Sequence, residues 1–543
     1  MNVYIADNGD TLRTIAAMRG IGLETLMSLN PHLVRPDSDI AGKPVNLPDP
    51  AKSTSKQNAV PACPTTPAND QNSWIPLTPL GQMERTDYDV LIVGTGAGGG
   101  AVLWRLAQQL RESGKRIGIV ERGGLLLQTH AYNIATMDNE RRDALRNYVA
   151  EMPSGFMSPQ VYALGGRMLF WNGTSPRQPS SVLADWPIPA KEMEFYYKVA
   201  EKVMSVTDSY TKGAWLTQIM LARLQKNGFP ESIDEPLAVN LEPVNKYGVL
   251  NTNAFFSSIM FMAEALNGSY DLAVNARVVE VLTENNKAVG VKVMTRDKKS
   301  FYLKAKNVVL SASTFGTPQI LLHSGIQGSA IGHYLVHHSR VNATGVVIRD
   351  EFPEVLGPLQ ILIPGTGQRP YQIQINGPGS YGWAQYQVQP LRKEWNFLLA
   401  ASGKVESRFE NRITLNPLRR DEYGMPEIQV DFSYSPLDDH IIEQMGEGIK
   451  QAAAAMNTRL LPRVGQSPVE LKPLGEDNHE SGTCSMGDDP ATSATNRYGQ
   501  IHGVQGLYVA DNSVLPTSGT ANPTLTMVAL AIRTADYIAE QLK

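Results

Sequence analysis

A buried strand, a glycine turn and a helix are predicted in immediate succession between residues 89 and 107. The branched apolar run 90–93 indicates the strand. The turn that follows holds Gly94, Gly96 and Gly99 in the G-x-G-x-x-G spacing. Glycines allow a backbone to approach a pyrophosphate closely, and the free N–H groups at a helix start attract its charge. We therefore predict a dinucleotide site here, with a purely structural glycine turn as the alternative.

The chain after this helix supplies a second part of such a site. Residues 116–120 form a second short apolar run, which ends at Glu121. An acidic side chain at the end of the second strand accepts hydrogen bonds from the hydroxyl groups of an adenosine ribose. Glu121 comes somewhat later than the usual spacing of about 20 residues, because the helix and its turn are long. Ala97, beside the glycines, completes the predicted cofactor-binding set of this region.

Composition and charge limit the classes of partner. The chain has 543 residues, 42% of them hydrophobic and 19% charged, which is ordinary for a globular protein. At roughly 150 residues per domain this length allows three or four units. Lys and Arg number 49 against 53 Asp and Glu, so the formal net charge is −4 and no basic surface argues for nucleic acid or an anionic membrane. We expect small molecules and neutral polymers as partners.

Cysteine use and apolar runs bear on the cellular compartment. Cys63 and Cys484 are too few and too far apart for a disulfide framework or a metal cluster, and we expect no metal site. No run of about 18 apolar residues predicts a membrane span, and the first residues lack the basic and apolar regions of a signal peptide. We expect a cytoplasmic protein by default, with export by a signal-free route as the alternative.

Residues 1–48 predict a small module of strand, helix, helix and strand, in which Asp10 or Thr11 caps the first helix. The stretch resembles a LysM domain over nearly its full length. This resemblance implies binding of N-acetylglucosamine-containing glycans such as peptidoglycan or chitin, and a βααβ module used only for protein contacts is the alternative. Residues 49–86, rich in Pro, Ser, Thr, Asn and Gln, predict an extended linker.

The rest of the chain predicts an α/β body with a second sheet. Strands and helices alternate over residues 87–339, which indicates a doubly wound sheet with inserted segments. Residues 340–470 hold many short strands, predicted as an antiparallel sheet lying over the first domain. This sheet is either a substrate-binding lid or merely architectural. Residues 471–543 are expected to return the chain to the nucleotide domain.

Two later stretches contain further candidate site residues. Residues 163–177 combine two glycines, an aromatic pair and a second small-residue turn. This pattern indicates a loop close to a flat ligand, with Trp171 and Asn172 available for packing and hydrogen bonding, although a buried aromatic corner has a similar pattern. Further on, His479 lies in a Gly, Ser and Thr turn upstream of a strand that ends at Asp511, where a parallel sheet presents its ligands.

With these motifs in place, the chain resembles the glucose-methanol-choline (GMC) oxidoreductases, a family of FAD-dependent alcohol oxidases and dehydrogenases, over roughly residues 87–543. Four segments show the resemblance: GTGAGGG with Glu121, GGRMLFWNGTSPR, VVLSASTFGTPQILLHSGI, and the pair HESGTCSMG and TSGTANPTLT. The second segment is especially similar to the corresponding loop of pyranose oxidases. The resemblance implies a Rossmann-like FAD-binding domain, an antiparallel substrate domain and an enzyme that acts on CH–OH groups.

Residue by residue, the resemblance implies catalytic roles for His479, as the active-site histidine, and for Asn522, as its partner. Val278 resembles the residue whose backbone contacts adenine, and Asp511 the one near the ribityl-pyrophosphate. Phe170 stands where pyranose oxidases have a histidine bonded to the flavin, so we expect non-covalent FAD. The other cofactor-binding positions that we expect are Gly94, Gly96, Ala97, Gly99, Glu121, Gly166, Trp171, Asn172, Pro523 and Thr524.

Oxidising an alcohol requires removal of the hydroxyl proton and transfer of a hydride to flavin N5. Histidine, with an ordinary pKa of about 6.5, suits the first task, so we expect His479 to act as the base while Asn522 positions the hydroxyl. The pyranose-oxidase-like loop and the glycan-binding module favour a sugar, glycoside or polyol, with oxygen, a quinone or a protein carrier as electron acceptor. The alternatives are a flavin-containing lyase of the same family and a glycan-binding protein with an inert oxidase body.

Overall fold

The structure is a computed structural model that describes residues 2–33, 35–48, 75–134, 137, 139–147, 155–241, 254–352, 357–377 and 393–543. Residues 49–74 of the predicted linker, including Cys63, lie outside the described residues. At its far end Ile75 is buried and Leu77 packs against the core of the following domain. The extended character of the linker therefore stays a prediction.

The described residues contain helices and strands with the following bounds. The α-helices are α1 Leu12–Arg19, α2 Leu23–Leu29, α3 Leu80–Met83, α4 Ala97–Gln109, α5 Asn139–Asn147, α6 Ser180–Leu183, α7 Ala190–Met204, α8 Trp215–Lys226, α9 Ser258–Ala265, α10 Ser313–His323, α11 Pro436–Ala455 and α12 Thr524–Leu542. The strands are β1 Asn2–Ile5, β2 Pro44–Leu47, β3 Asp87–Val93, β4 Ile117–Val120, β5 Val206–Thr207, β6 Ile233–Asp234, β7 Leu237–Asn240, β8 Ala254–Phe255, β9 Asp271–Ala273, β10 Arg277–Glu284, β11 Lys287–Met294, β12 Ser300–Leu310, β13 Ser339–Ile348, β14 Leu359–Ile363, β15 Tyr371–Gly377, β16 Glu394–Gly403, β17 Arg412–Arg420, β18 Pro426–Asp431, β19 Arg459–Leu460, β20 Glu470–Leu471 and β21 Leu507–Val509. Short 3₁₀ turns lie at Ala131–Asn133, Gly166–Leu169, Arg349–Glu351 and Asn512–Val514.

The amino-terminal module has the predicted βααβ order. Strands β1 and β2 pair antiparallel, and both helices pack on them. Thr11 is the cap: its hydroxyl accepts the Thr14 N–H at 3.1 Å while the Thr14 hydroxyl accepts the Thr11 N–H at 2.8 Å, which is a capping box. Gly20, at φ +63°, ends α1. The core of the module consists of Ala6, Leu12, Ile15, Ala16, Leu26, Leu33, Ile40, Val45 and Leu47.

The nucleotide domain is organised around a sheet in the order β10-β11-β12-β3-β4-β9, with β21 paired beside β12. Strands β12, β3, β4, β9 and β21 are parallel, whereas β10, β11 and β12 form an antiparallel meander. Strand β3 is buried along nearly its whole length because helices cover both faces of a doubly wound sheet. The far end of the chain returns to this sheet through β21, and α12 packs against α4.

The sequence predicts two antiparallel strands over residues 273–293, joined by a turn at Asn285 and Asn286, and the structure confirms this pair with one difference. The turn at Asn285 and Asn286, both at positive φ, joins β10 to β11 as expected. Ala273, however, belongs to β9, which pairs in parallel with β4. The chain leaves one strand of the sheet and starts the next within three residues, a break that apolar alternation alone does not mark.

The second sheet has the order β19-β13-β16-β15-β14-β6, with β20 also paired to β13, and all of its pairs are antiparallel. Helix α11 packs on it and shares an apolar core with it. Strand β6 comes from an inserted segment of the 87–339 range. Strands β17 and β18 form a separate hairpin. Within the described ranges, no helix combines the length and the apolar character that crossing a membrane requires.

Candidate active site

A cavity of about 530 Å³ extends from the glycine turn to His479 and Asn522. Val93, Val120 and Ser311 contribute to it, so it lies at the carboxyl ends of β3, β4 and β12, where open parallel sheets bind their ligands. The predicted site residues that line it are Gly94, Gly96, Ala97, Glu121, Gly166, Trp171, Asn172, Val278, His479, Asp511, Asn522 and Thr524, together with Phe170. The two predicted residues outside this lining are Gly99, which packs behind the turn, and Pro523, which precedes α12.

The three glycines of the turn have different roles. Gly94 is at φ +101°, and a Cβ there would overlap the carbonyl oxygen of Ser311. A Cβ on Gly99 would overlap the carbonyl oxygen of Gly94, so α4 approaches β3 only with glycine at this position. Gly96 has nothing within 4 Å of the place its Cβ would take. This open space faces the start of α4, which has no side-chain cap, and is where a pyrophosphate fits.

Gly98 is a structural requirement that the sequence pattern did not indicate, because it occupies a variable position of the G-x-G-x-x-G motif. A Cβ on Gly98 would overlap the carbonyl oxygen of Ala510. The Ser311 hydroxyl donates to that same carbonyl at 2.8 Å. The turn therefore packs directly against the segment that follows β21, more than 400 residues later in the chain.

Glu121 lies directly after β4, and its carboxylate bonds to the turn itself. One oxygen accepts the Thr95 N–H at 3.0 Å and the Thr95 hydroxyl at 2.6 Å, and the other accepts the Gly123 N–H at 2.8 Å. Burial raises the pKa of Glu121, against the effect of these bonds. A carboxylate has about four acceptor sites, so one remains towards the cavity, and the ribose contact stays a prediction.

The loop predicted to pass close to a ligand lies across the glycine turn. Gly165 and Gly166 are both at positive φ, at +100° and +56°. The Gly165 N–H donates to the Thr95 hydroxyl at 3.0 Å, and a Cβ on Gly166 would lie 3.2 Å from the Cα of Gly96. Both glycines are therefore needed for the loop to approach this closely.

The aromatic part of the same loop belongs both to the core and to the cavity wall. The indole N–H of Trp171 donates to the carbonyl of Phe256 at 2.7 Å, so the ring is fixed by the protein as well as lining the cavity. Phe170 is buried and also lines the cavity. Asn172 lies at the cavity with an exposed side chain. The structure thus shows the aromatic corner and places these side chains at the cavity, while their contact with a ligand stays a prediction.

Asp511 connects the end of β21 to α10. One carboxylate oxygen accepts the N–H and hydroxyl of Ser513, at 2.9 and 2.5 Å. The other accepts the Ser313 N–H at 3.1 Å and the Thr317 hydroxyl at 2.6 Å. Burial raises the pKa of Asp511. All four acceptor sites of Asp511 are used within the protein, so its role in this structure is to fix the segments after β21 and before α10 at the cavity. Val278, on β10, lines the same cavity.

His479 and Asn522 lie side by side at the other end of the cavity. The Asn522 amide nitrogen is 3.2 Å from His479 Nε2. Gln372, buried on β15, donates its amide N–H to the Asn522 amide oxygen at 2.7 Å, which turns the Asn522 amide nitrogen towards the imidazole. Because that nitrogen only donates, His479 Nε2 presents a lone pair.

The other ring nitrogen of His479 faces a buried polar cluster. His479 Nδ1 is 2.8 Å from Nδ1 of His338 and 3.4 Å from a carboxylate oxygen of Asp477. Asp477 also accepts the backbone N–H of His338 at 2.9 Å and lies 3.1 Å from His337 Nδ1. One possible metal-ligand atom from each of His338, Asp477 and His479 lies within 4.8 Å of the others. The two histidines are hydrogen-bonded to each other through their Nδ1 atoms.

The electrostatics of the cluster favour neutral rings at His338 and His479 beside an ionised Asp477 carboxylate. Burial lowers the pKa of His479 to about 3, although Asp477 opposes this. Burial likewise lowers the pKa of His338. Burial alone would raise the pKa of Asp477, but the neighbouring histidines, His337 first, hold it below its usual range. At neutral pH the site therefore contains an unprotonated His479 beside a negative charge.

A buried ion pair fixes the two ends of the cavity to each other. Glu480, which follows His479, is fully buried and accepts two N–H bonds from Arg167, at 2.7 and 3.2 Å. The hydroxyl of Ser158 also bonds to Glu480. Arg167 belongs to the glycine-containing loop beside the nucleotide turn. Bidentate Arg–carboxylate pairs fix geometry as well as energy, so this pair determines the distance between the turn and the catalytic pair.

Gln372, His338 and Asp477 are site residues that the sequence analysis missed. Asp477 stands two positions before His479, and the adjacent His337 and His338 form a conspicuous pair. These were available signals, since clustered titratable residues mark functional sites. Gln372 has no such signal, because only the pairing of β15 in the second sheet brings it to Asn522.

The residues present fit FAD. The open space at Gly96 and the uncapped start of α4 suit its pyrophosphate. The same cavity continues to His479, where a flavin ring belongs if the reaction occurs there. Thr524, at the start of α12, also lines the cavity near His479. Like α4, helix α12 begins without a side-chain cap.

Comparisons with known proteins agree with this architecture. Residues 88–340 and 406–531 match models described as GMC oxidoreductase, and residues 4–43 match the LysM domain model. The solved pyridoxine 4-oxidase from Mesorbium loti superimposes with a TM-score of 0.60 at 15% identity, covering 83% of this chain and 99% of that one. The likeness in structure therefore concerns the fold.

Three curated relatives extend over most of the chain. A C-glycoside 3-oxidase from Arthrobacter globiformis is 28% identical over 72% of this chain and 76% of its own length. A 2-methyl-1,2-propanediol dehydrogenase from Mycolicibacterium austroafricanum is 26% identical over 83% and 95%. A paromamine 6'-oxidase from Streptomyces fradiae is 23% identical over 88% and 97%. From the family matches together with these relatives, this chain belongs to the GMC oxidoreductase family, as an enzyme acting on CH–OH groups that also has a LysM domain at residues 4–43.

Proposed function

We propose that this protein is an FAD-dependent oxidoreductase that oxidises one hydroxyl group of a sugar, glycoside or other polyol. The observation that supports this most is the pair His479 and Asn522, which presents an imidazole lone pair and an amide N–H at the end of the cavity remote from the glycine turn. When bound, FAD supplies the acceptor for the hydride that leaves the substrate carbon.

The protein's own part is to orient the alcohol and to accept its proton. His479 Nε2 takes the hydroxyl proton once the substrate hydroxyl replaces the Asn522 N–H that bonds to it at 3.2 Å. It is unprotonated at neutral pH because burial lowers the pKa of His479 to about 3. The second amide N–H of Asn522 donates to the substrate oxygen. Asp477, ionised and 3.4 Å from His479 Nδ1, stabilises the positive charge that forms on the ring. Without Asp477 the pKa of His479 would be lower still.

The polar cavity wall formed by the second sheet supports this substrate class. Arg340 and Asn342 from β13 and Gln374 from β15 line it. Behind them Glu235 is buried and accepts the Gln374 amide N–H at 2.6 Å and the Thr174 hydroxyl at 3.1 Å. Oriented amides and charges discriminate for hydroxyl groups, because a ligand without hydroxyls leaves them unpaired. Relatives named for a C-glycoside and for paromamine support the same class.

We further propose that the FAD is held without a covalent bond. Phe170, at the position where pyranose oxidases have a flavin-linked histidine, lines the cavity and offers no nucleophile. Denaturing the purified protein with acid and separating chain from supernatant tests this directly. Yellow colour in the supernatant supports non-covalent binding, and yellow colour in the protein pellet contradicts it.

A substrate panel tests the proposed activity. Simple alcohols, polyols, free sugars and C- and O-glycosides are mixed anaerobically with the FAD-loaded protein, and bleaching of the flavin absorbance is followed. We expect bleaching by sugars or glycosides above simple alcohols, and reoxidation by oxygen or by an artificial quinone identifies the acceptor. Product release without bleaching would instead support a lyase, and a protein that cannot be loaded with FAD would refute the proposal.

We also propose that residues 1–48 bind glycans containing N-acetylglucosamine, supported by the LysM match at residues 4–43. The full chain is incubated with insoluble peptidoglycan, chitin and cellulose, and the bound fraction is measured after washing. Retention on chitin or peptidoglycan but not on cellulose supports recognition of the acetamido group. Equal retention on all three, or on none, contradicts it.

A further inference from the structure

The contact between His338 and His479 restricts where protons are placed in the active site. The two Nδ1 atoms face each other at 2.8 Å, with the rings at 84°. In a hydrogen bond between two imidazole nitrogens, one carries the proton and the other a lone pair. The position of one proton on His338 therefore decides the tautomer of His479.

His338 itself has only one neutral form that suits its surroundings. Its Nε2 is 3.0 Å from the backbone carbonyl oxygen of Ser518, and a carbonyl oxygen only accepts. Nε2 must then carry the proton. His338 is fully buried, and burial lowers its pKa, so the neutral ring has a lone pair on Nδ1. His479 accordingly donates from Nδ1 and keeps its lone pair on Nε2, towards the cavity.

The other side of His479 is consistent with this answer. Gln372 and Asn522 present an amide N–H to His479 Nε2, as described above. If both amides were reversed, the Asn522 oxygen would need a proton on Nε2. A neutral His479 would then have a lone pair on Nδ1 facing the lone pair of His338. Within a neutral cluster, only the Nδ1–H form of His479 satisfies every bond.

We propose that His338 is a positioning residue that fixes His479 in the Nδ1–H tautomer and so makes Nε2 the base. Asp477 is a weaker acceptor for the same proton, because its oxygen lies 3.4 Å from His479 Nδ1 against 2.8 Å for His338. The catalytic meaning of this inference rests on the proposed function. The tautomer itself is a property of the FAD-loaded protein without substrate.

Two substitutions separate hydrogen bonding from packing. His338→Asn places an amide oxygen near the position of the imidazole Nδ1 and keeps an acceptor for His479. His338→Leu has a similar bulk and no acceptor. With the panel substrate that bleaches the flavin fastest, we expect His338→Leu to slow flavin reduction by about 10- to 100-fold, a part of the ~10²–10⁴-fold contribution of a general base, while His338→Asn recovers most of the wild-type rate.

The tautomer is read directly by nitrogen NMR of the FAD-loaded protein labelled with ¹⁵N-histidine, because protonated and unprotonated ring nitrogens resonate far apart. The chain has nine histidines, and His479→Gln identifies the signals of His479. We expect a protonated Nδ1 and a bare Nε2 in wild type and in His338→Asn, with a population protonated at Nε2 appearing in His338→Leu.

The outcomes decide the inference separately from the proposed function. A protonated Nε2 of His479 in wild type overturns it, and this result needs neither variant at His338. An unchanged tautomer in His338→Leu also overturns it, even if flavin reduction slows, because the effect is then one of packing. Loss of the Nδ1–H tautomer of His479 in both His338→Leu and His338→Asn would overturn it too, because the acceptor kept in His338→Asn would then have no effect. If no alcohol bleaches the flavin, the proposed function fails while the spectra still decide the role of His338.

Discussion

The two ends of the cavity are built by different means. The nucleotide end is mostly backbone: Gly94, Gly98 and Gly99 allow close contacts that any Cβ would block, and Gly96 leaves open space. The catalytic end is made of side chains from separate segments, among them His338, Gln372, His479 and Asn522. The first end is therefore fixed by sterics, and the second by a network of hydrogen bonds.

This difference has consequences for mutation. A substitution at the backbone end changes how closely strands and helices approach, so stability and cofactor binding are affected together. A substitution at the side-chain end removes a proton acceptor or a donor without displacing the main chain. We therefore expect cofactor retention and reaction rate to be separable, and the following variants test how far this holds.

The largest effect is expected for Gly98→Ala. Its Cβ would overlap the Ala510 carbonyl oxygen, and relieving the overlap must move β21 or α4. We predict a loss of about 3 kcal/mol or more in stability, at the upper end of overpacking effects, together with loss of FAD. Gly96→Ala is the matched control, since nothing lies within 4 Å of its Cβ and its φ is negative.

In Gly96→Ala we expect the FAD-free protein to keep its wild-type melting temperature while its affinity for FAD falls, because the methyl group occupies the pyrophosphate space. Thermal melts and FAD titration of both variants measure this. Equal melting temperatures for the two FAD-free variants would contradict the distinction between the glycines.

The next largest effect is expected for Asn522→Ala, which should lower the rate of flavin reduction without changing cofactor retention. It removes the amide N–H beside His479 Nε2 and the one proposed to hold the substrate oxygen. We predict that flavin reduction slows about 10²-fold, as expected for lost positioning, with wild-type FAD content. Gln372→Leu frees the Asn522 amide to rotate and should give a smaller loss in the same direction. A greater loss in Gln372→Leu than in Asn522→Ala would contradict this order.

These two ends also show how much the sequence could predict. The glycine turn is one contiguous stretch, so its spacing pointed to Gly94 and Gly99, which the packing requires to be glycine, and to Gly96, which leaves open space. Gly98 escaped because its contact, Ala510, lies at the far end of the chain. Likewise His479 and Asn522 came from resemblance to a family, whereas Gln372 became visible only once β15 was paired in the second sheet. His338 had a signal in the adjacent His337, but only the fold brings it to His479.

The stability of the protein should fall in acid because two buried histidines have lowered pKa values. Burial lowers the pKa of His479 to about 3 and that of His130 to about 4. Each unfolded histidine titrates near 6.5, so unfolding takes up protons at lower pH. The contribution to stability is complete above pH 6.5 and is lost as pH falls towards 4, by roughly 1 kcal/mol per pH unit for each group.

Thermal melts between pH 7 and pH 4 test this, with His130→Gln expected to show a shallower loss than wild type. Over the same range we predict that protonation of His479 in the substrate-free enzyme does not lower the rate of flavin reduction. A decline centred near pH 6.5 that His479→Gln removes would show an exposed, ordinary histidine instead.

The smallest effect is expected at Glu235. Burial raises the pKa of Glu235 to about 7, so its contribution to stability is full below the ordinary Glu pKa of about 4.3 and is lost as pH rises from there through 7. Because it holds Gln374 and Thr174 at the cavity wall, we predict a few-fold change in KM between pH 6 and 8. Glu235→Gln should flatten this change. Glu264→Gln, which alters a carboxylate bonded to Trp104 outside the cavity lining, should leave it as in wild type.

The most direct test of the account is the rate of flavin reduction in His479→Ala, measured by anaerobic rapid mixing at saturating FAD with the fastest panel substrate. If the nucleotide end holds the cofactor and the side-chain end performs the chemistry, this variant retains wild-type FAD content and reduces its flavin about 10²–10⁴-fold more slowly, the range for a general base. Reduction at the wild-type rate would contradict the account, and so would loss of FAD from a folded variant.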